Sequence, residues 1–291
     1  MAITTWLGMR ASTRAFLLGL IVCAVPSSAA PLTTSKRPRA RDAEGTERCS
    51  LADVTPQRIV DRSAGQSEWH GRFDLPDTPA LWAPAPADTL LGAFQSRVRQ
   101  RLGGAADARS LGERQRAIFA KMPAEFKGEA TNAELLASGR AGTITPMGCL
   151  EAMLWTWQAA RYPMFDHPTE FGAFVTRGQG RVHVYLSSAD LVGQKLRDAV
   201  TAAVQADLAA GYRLIAHIHN HPFLFDRVVG DRMWTIEGTK DDVAGALAPS
   251  MTDVQFYRSV RASQGLEGAW VTNGFETSHF TAAEFDLLIG R

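Results

Sequence analysis

Several short stretches in the C-terminal half of the chain alternate apolar and polar residues. A period of two places successive side chains on opposite faces, which is typical of a β-strand with one buried face. Two connections between these stretches contain turn residues, Gly178-Gln179-Gly180 and Asn273-Gly274, and so predict β-hairpins. The pattern predicts strands over residues 171–175, 181–186, 214–222, 269–272 and 275–280.

Other segments space their apolar residues three or four positions apart, which predicts amphipathic helices. Serine or threonine followed three residues later by glutamate, a capping box, marks the start of three of them. Proline and tryptophan instead crowd residues 51–87, which predicts irregular structure there. The predicted helices cover residues 89–102, 131–139, 145–163 and 190–209, with two more beginning at Ser110 and Thr281.

Strands and helices mixed in this way predict an α/β fold, in which a mixed β-sheet is sandwiched by helices. The predicted strands lie in the C-terminal part, so residues 146–291 are expected to form the main domain. Residues 49–145 are expected to form a mainly helical N-terminal extension. The sequence contains no internal repeat and no phosphate-binding loop.

The N-terminus has the composition of a secretory signal peptide. Arg10 and Arg14 precede a short apolar run, residues 15–25, and small residues follow up to Ala30. The run is too short to span a bilayer. We therefore expect a signal peptide over residues 1–30, cleavage after Ala30, a secreted or periplasmic protein, and no integral membrane segment after cleavage. A leader that is kept in the cytosol is the alternative.

The charge of the chain argues against nucleic acid as a partner. The leader carries two of the 31 basic residues and none of the 30 acidic ones, so the remainder has a net charge of about −1. Phosphate binding requires a concentrated basic face. The basic run at residues 36–41 lies among threonine, serine and proline, and residues 31–48 are therefore expected to be a flexible linker.

Two cysteines remain after the leader, Cys49 and Cys149. In an oxidising compartment they could pair and close a large loop, or they could stay as two free thiols. In the sequence neither lies near the candidate metal-binding residues His219, His221 and Asp253, and we favour a structural disulfide.

The strand predicted over residues 214–222 ends in His219-Asn220-His221-Pro222, and Ser250-Met251-Thr252-Asp253 follows later. Alternation places both imidazoles on one face, where they can bind one zinc ion, and a carboxylate can complete three protein ligands. The open fourth position separates a catalytic zinc site from a structural one. Each motif also has an ordinary interpretation, because histidines alternate on strands without metal and Ser-x-x-Asp is a helix N-cap. A cap would fix the direction of the carboxylate, so the two interpretations of that motif are compatible.

In their order along the chain these residues resemble the JAMM (MPN+) zinc metalloprotease family. That family has a glutamate on an early strand, then His-x-His-Pro, then Ser-x-x-Asp, and Glu170 supplies the glutamate here. The resemblance covers about the C-terminal half and implies that residues 146–291 are a JAMM-like metallohydrolase domain. The roles that it implies are Zn²⁺ ligand for His219, His221 and Asp253, general acid/base for Glu170, and oxyanion donor for Ser250.

One spacing departs from the family. There Ser-x-x-Asp follows the proline closely, whereas here residues 223–249 intervene. A longer loop costs little because the closure entropy grows only with the logarithm of its length. We therefore expect an insertion that leaves Asp253 facing the histidines.

By this resemblance the protein would be a secreted zinc-dependent hydrolase of peptide or isopeptide bonds, with a protein or peptide substrate and zinc-activated water as nucleophile. Two alternatives stay open: a non-catalytic binding module with the same fold, and a cell-wall peptide hydrolase, which also uses His-x-His. A zinc-dependent deaminase is excluded because the sequence has no Pro-Cys-x-x-Cys motif. His217 shares the strand face of His219 and His221, and we favour packing over a partner role for it.

Overall fold

The computed structural model describes residues 54–62, 64–65, 67–85, 89–104, 106–119, 127–192, 196–224 and 245–290. All of them belong to one compact unit, Arg39–Arg291. The predicted signal peptide and linker, residues 1–30 and 31–48, lie outside the described residues. In the described part of the chain, no helix combines the length and the apolar character needed to cross a bilayer.

Strands of the described residues share one sheet: β1 (Gln57–Ile59), β2 (Trp69–Pro76), β3 (Thr143–Pro146), β4 (Phe171–Gly178), β5 (Arg181–Ser188), β6 (Arg213–Asn220), β7 (Gly268–Thr272) and β8 (Glu276–Thr281). This eight-stranded sheet has the order β1-β2-β5-β4-β6-β7-β8-β3. Neighbouring strands run antiparallel except β6 and β7, which run parallel. The sheet is therefore mixed, as the sequence predicts.

The α-helices of the described residues are α1 (Thr89–Leu102), α2 (Ala108–Phe119), α3 (Lys127–Ala137), α4 (Cys149–Ala159), α5 (Asp198–Ala209) and α6 (Met251–Gln264). Helices pack on both faces of the sheet, and each face has its own apolar core. On one face Ile218 of β6 clusters with Leu150 of α4. On the other face Phe174 of β4 clusters with Val204 of α5 and Tyr257 of α6. The predicted α/β fold with helices on both sides of a mixed sheet is confirmed.

The N-terminal part contributes strands as well as helices. β2 pairs along its whole length with β5, β1 pairs with β2, and β3 pairs with β8 at the opposite edge. Phe73 and Leu75 alternate with more exposed residues and are buried, which is the ordinary pattern of a strand on a core. The prediction of irregular structure over residues 51–87 is therefore wrong for β1 and β2. Residues 49–145 are not simply a helical extension, because part of this segment completes the main sheet.

The helix predicted over residues 145–163 is shorter in the structure. Thr145 and Pro146 belong to β3, and α4 begins at Cys149 and ends at Ala159. Proline is tolerated in β3 because this strand lies at the edge of the sheet and pairs on one side only. The proline therefore marks a strand end here, and the helix begins three residues later.

Cys149 is disulfide-bonded, as we favoured, and its side chain is buried. Cys49 lies outside the described residues, so its identity as the partner stays a prediction. A bridge at the first residue of α4 would tie this helix to another part of the chain.

The helix predicted over residues 190–209 begins only at Asp198. The reason is a backbone contact: Glu170 N–H donates to the Leu191 carbonyl at 2.9 Å. That carbonyl is turned toward the chain that leads into β4 instead of along a helix axis. Periodicity alone does not detect such a contact with a distant segment.

Two helices begin before their predicted caps. Ser110 N–H donates to Asp107 Oδ1 at 3.0 Å, so Asp107 and not Ser110 caps α2. Thr131 lies inside α3, where its hydroxyl donates to the Lys127 carbonyl at 2.9 Å. Serine and threonine also occur within helices as ordinary surface residues, and there they imitate the capping pattern.

Two further predictions agree with the structure. α1 covers residues 89–102, and the Asn273-Gly274 turn joins β7 to β8.

The helix predicted to begin at Thr281 is wrong. The Thr281 N–H and hydroxyl donate to Glu284 Oε2, which is only one half of a capping box. A single 3₁₀ turn, Glu284–Asp286, follows, with Ala283 as its N-cap.

Candidate metal centre

Two histidines lie at the C-terminal end of β6. His219 is within the strand and His221 follows it, and both are nearly buried. His221 N–H donates to the Thr272 carbonyl of β7 at 2.9 Å, which extends the strand pairing beyond Asn220. Their spacing of two therefore places both imidazoles on one face of the sheet, the face that α6 covers.

The N-terminus of α6 brings a carboxylate to these histidines. Ser250 is the N-cap, and its side chain accepts from Asp253 N–H at 3.1 Å. In return Asp253 Oδ2 accepts from the backbone N–H and the hydroxyl of Ser250, at 2.9 and 2.7 Å. This reciprocal capping box fixes the Asp253 rotamer, so the cap and the proposed ligand role coexist in one residue.

The three candidate ligand atoms have separations close to those of a tetrahedral site, with the two histidine nitrogens slightly nearer each other. The Nε2 atoms of His219 and His221 lie 3.1 Å apart, and Asp253 Oδ2 lies 3.6 and 3.3 Å from them. Atoms that bind Zn²⁺ tetrahedrally at about 2.0–2.2 Å lie roughly 3.3–3.6 Å from one another. These residues therefore fit a divalent metal held by two imidazoles and one carboxylate. Within the described residues this is the one such convergence of histidine, cysteine and carboxylate donors.

Glu170 lies beside the histidines, immediately before β4. The register of β4 and β6 pairs Gly172 with His219, and continuing it by two residues brings Glu170 opposite His221 on the same face. The Glu170 side chain is buried, and its charge acts on both His221 and Tyr257. The glutamate is therefore close to the candidate ligands without being one of the three that converge.

Burial and mutual charge set the protonation of this cluster. Burial alone raises the pKa of Asp253, but His219 and His221 outweigh it and hold that pKa well below its ordinary value. Burial also lowers the pKa of His219, and the charge of Asp253 offsets this only in part. For His221 burial acts in the same direction, but Asp253, Glu170 and the Ala246 carbonyl together raise its pKa. The metal-free site thus favours an ionised Asp253 beside a proton on His221.

Each of the two histidines has a partner on the far side of its ring. His221 Nδ1–H donates to the Ala246 carbonyl at 2.9 Å, so the neutral ring presents Nε2 to a metal. His219 Nδ1 lies 3.4 Å from the hydroxyl of Tyr257, a buried residue of α6. Such partners fix the orientation of the imidazole rings. The sequence identified the ligand candidates but neither of these partners, because each contact comes from a distant part of the chain.

Asn220, between the two histidines, orients the chain around Glu170. Its Nδ2 donates to the Thr169 carbonyl at 3.0 Å, and its Oδ1 accepts from Phe171 N–H at 2.7 Å. One buried side chain therefore holds the backbone on both sides of the glutamate. Sequence reasoning missed this residue, although its place inside His-x-His was a usable signal.

Ser250 has a role in the structure that differs from the predicted one. Its hydroxyl proton is donated to Asp253 Oδ2, so in this arrangement Ser250 holds the candidate ligand carboxylate. Donation to a reacting oxyanion would require the hydroxyl to rotate away from Asp253. That role stays a prediction.

Aromatic rings, including that of His217, pack next to His219. His217 is fully buried between Phe174 and Phe256, with ring centroids 5.4 and 4.9 Å away. His217 is therefore packed among aromatic rings, and the favoured packing role stays a prediction. Burial among apolar rings strengthens electrostatic interactions next to them.

Comparison of the chain with protein-family models, with curated protein sequences and with solved structures gives no match. The geometry and chemistry of the site therefore carry the functional assignment.

Proposed function

We propose that this protein is a zinc-dependent hydrolase of peptide or isopeptide bonds, of the JAMM (MPN+) type, that acts after export. One observation carries the proposal: His219 Nε2, His221 Nε2 and Asp253 Oδ2 converge within 3.1–3.6 Å of one another, close to the separations of a tetrahedral site. The two histidines and one carboxylate leave one corner open, which is the arrangement of catalytic zinc.

The order of elements supports the JAMM assignment. Glu170 precedes β4, the β4–β5 hairpin and α5 follow, β6 carries the histidines, and α6 begins with Ser250 and Asp253. This is the succession that the resemblance implies, and each motif residue lies at the element end where it is needed. We propose both the detailed similarity of this fold to that family and zinc as the bound metal.

When bound, Zn²⁺ would lower the pKa of a water molecule and polarise the scissile carbonyl. Glu170 would take the proton of the attacking water and deliver it to the leaving amine, which requires a carboxylate close to the ligands but not bound among them. Asp253 and the neutral imidazoles would hold the metal, while Ser250 holds Asp253 through its capping hydrogen bonds. The predicted leader supports an extracellular or envelope protein or peptide as substrate.

Glu170→Gln separates an enzyme from a binding module. The amide keeps the shape of the side chain but cannot shuttle a proton, so we expect zinc content and fold to be retained and hydrolysis to fall by about 10²–10⁴-fold. The readout is cleavage of a mixed library of linear and isopeptide-linked peptides, followed by mass spectrometry. Glu151→Gln is the matched control, because Glu151 is equally buried but lies on α4, on the opposite side of the sheet.

If wild-type protein that carries zinc cleaves no member of the library, the binding module becomes the better assignment. Full activity of Glu170→Gln would show that another base is responsible.

A further inference from the structure

A short segment without regular secondary structure, residues 245–249, leads to the third candidate ligand. It is the last part of the long interval between His221 and Asp253 and leads directly into the N-cap Ser250. The position of Asp253 therefore depends on how firmly this segment is held.

Every second carbonyl of this segment accepts a hydrogen bond from a buried side chain. Asn273 Nδ2 donates to the carbonyl of residue 245 at 3.0 Å, Ser278 Oγ to that of residue 247 at 2.5 Å, and Asn132 Nδ2 to that of residue 249 at 3.2 Å. All three donors are at most 2% exposed. They come from the β7–β8 turn, from β8 and from α3, so three separate parts of the fold grip one segment.

The carbonyl of Ala246, between those of residues 245 and 247, contacts the candidate ligand His221. It accepts from His221 Nδ1–H at 2.9 Å. The carbonyls on either side of it are directed at side chains of the β7–β8 hairpin instead. Holding the carbonyls of residues 245 and 247 against the β7–β8 hairpin therefore aims that of Ala246 at His221.

The segment is also closed onto the histidine strand at its start. Gly245 N–H donates to the Pro222 carbonyl at 3.3 Å. Gly245 has φ of +57°, and a Cβ at this position would meet the Phe223 ring at 2.5 Å. Glycine is thus required for the close approach. The chain returns after residues 223–244 to the place where it left β6.

We propose that Asn132, Asn273 and Ser278 are positioning residues of the metal centre. Together they form a carbonyl clip that fixes Ala246 against His221 and sets Ser250 and Asp253 opposite the histidines, whatever the length of chain between the ligands. This inference rests on the proposed metal site and adds the groups that preorganise it. A purely structural role would satisfy the same buried carbonyls but would affect only stability.

Two single variants test the clip. Asn273→Asp removes the Nδ2 donor but keeps Oδ1, which accepts from the N–H groups of Phe275 and Glu276 within the turn. Ser278→Ala removes the second donor. Thr176→Val is the control, because it removes an equally buried hydroxyl hydrogen bond, to Asp207, outside the clip.

The measurements are zinc affinity by chelator competition, the visible spectrum of the Co²⁺-loaded protein, and the melting temperature of the metal-free protein. Loss of partners that orient metal ligands typically weakens binding by about 10–100-fold. We expect that loss and an altered Co²⁺ spectrum for Asn273→Asp and for Ser278→Ala, and a change below about threefold for Thr176→Val even if it melts earlier.

If both clip variants bind zinc as tightly as the wild type and only melt at a lower temperature, the proposed positioning role is wrong. If one variant does not fold, the other decides. His221→Ala is measured in parallel to distinguish failure of the clip from failure of the metal site. If His221→Ala loses zinc but the clip variants do not, the clip is wrong and the proposed function stands. If the wild-type protein binds no zinc, both proposals are wrong.

Discussion

His219 Nε2 and His221 Nε2 lie 3.1 Å apart, inside the protein and facing the same carboxylate oxygen of Asp253. Two imidazole nitrogens at this distance share either one hydrogen-bonding proton or one metal ion. We propose that zinc takes this position, and the following predictions depend on that proposal.

Zinc binding should weaken as the pH falls. The pKa of His221 is raised in the metal-free protein despite its burial, so His221 carries a proton that zinc must displace. Below that raised pKa, which lies above 6.5, the affinity should therefore fall by about tenfold per pH unit, and above it the affinity should level off. Competition titrations between pH 5.5 and 8.5 measure this slope (about one proton per zinc). A flat profile below pH 6.5 would contradict the assigned role of His221.

Asn220→Ala should impair catalysis more than metal binding. The Asn220 side chain is hydrogen-bonded to both peptide groups that flank Glu170, but Asn220 is not itself a candidate metal ligand. A displacement of about 1 Å in a catalytic group can cost roughly 10²-fold in rate. We expect kcat to fall by about that factor while zinc affinity stays within about threefold. A loss of zinc equal to the loss of kcat would show that Asn220 supports the strand and not the glutamate.

Ser250→Ala tests two roles of the same hydroxyl. Losing an N-cap should destabilise the protein by about 1 kcal/mol, and losing the hydrogen bond to Asp253 should weaken zinc binding by about 10–100-fold. Ser250→Thr, which keeps the hydroxyl, should restore both. At saturating zinc, a remaining fall in kcat of about 10²–10³-fold would establish the predicted oxyanion role, and an unchanged kcat would rule it out.

Glu151 should make the protein less stable as the pH rises, independently of the metal. Burial raises its pKa from 4.5 to about 7, so the folded state prefers the protonated carboxyl. The stability that this preference contributes is fully present below pH 4.5 and is lost as the pH rises to about 7. It amounts to roughly 3 kcal/mol, since each pKa unit is worth about 1.4 kcal/mol.

Glu151→Gln removes that titration. The variant should be more stable than wild type at pH 8 and should lack the wild-type decrease between pH 4.5 and 7. Urea unfolding across this range measures the difference. Parallel stability curves for the two proteins would mean that Glu151 is solvated or paired in solution.

The sequence predicted the strands around the site and the three residues that converge there, His219, His221 and Asp253, because each depends on local pattern. A Gly-containing turn joins β4 to β5, β6 ends in alternating histidines, and the Ser250 capping box needs only four consecutive positions. These signals are complete within a few residues. A single sequence is sufficient to detect them.

The missed features depend on contacts between distant segments. β2 was hidden by its proline-rich surroundings although it pairs fully with β5, and the start of α5 was displaced by the contact of Leu191 with Glu170. Asn273 was recognised only as a turn residue, yet its amide also reaches Gly245. Tertiary hydrogen bonds of this kind leave no periodic trace in the sequence.

Metal analysis of the purified protein tests the central claim most directly. After loading with zinc and removal of the excess, elemental analysis should find about one zinc ion per chain in the wild type. His221→Ala and Asp253→Ala should retain almost none, while Glu170→Gln should retain the wild-type amount because that glutamate is not a ligand. Wild-type protein without zinc, or undiminished zinc in His221→Ala, would contradict the account.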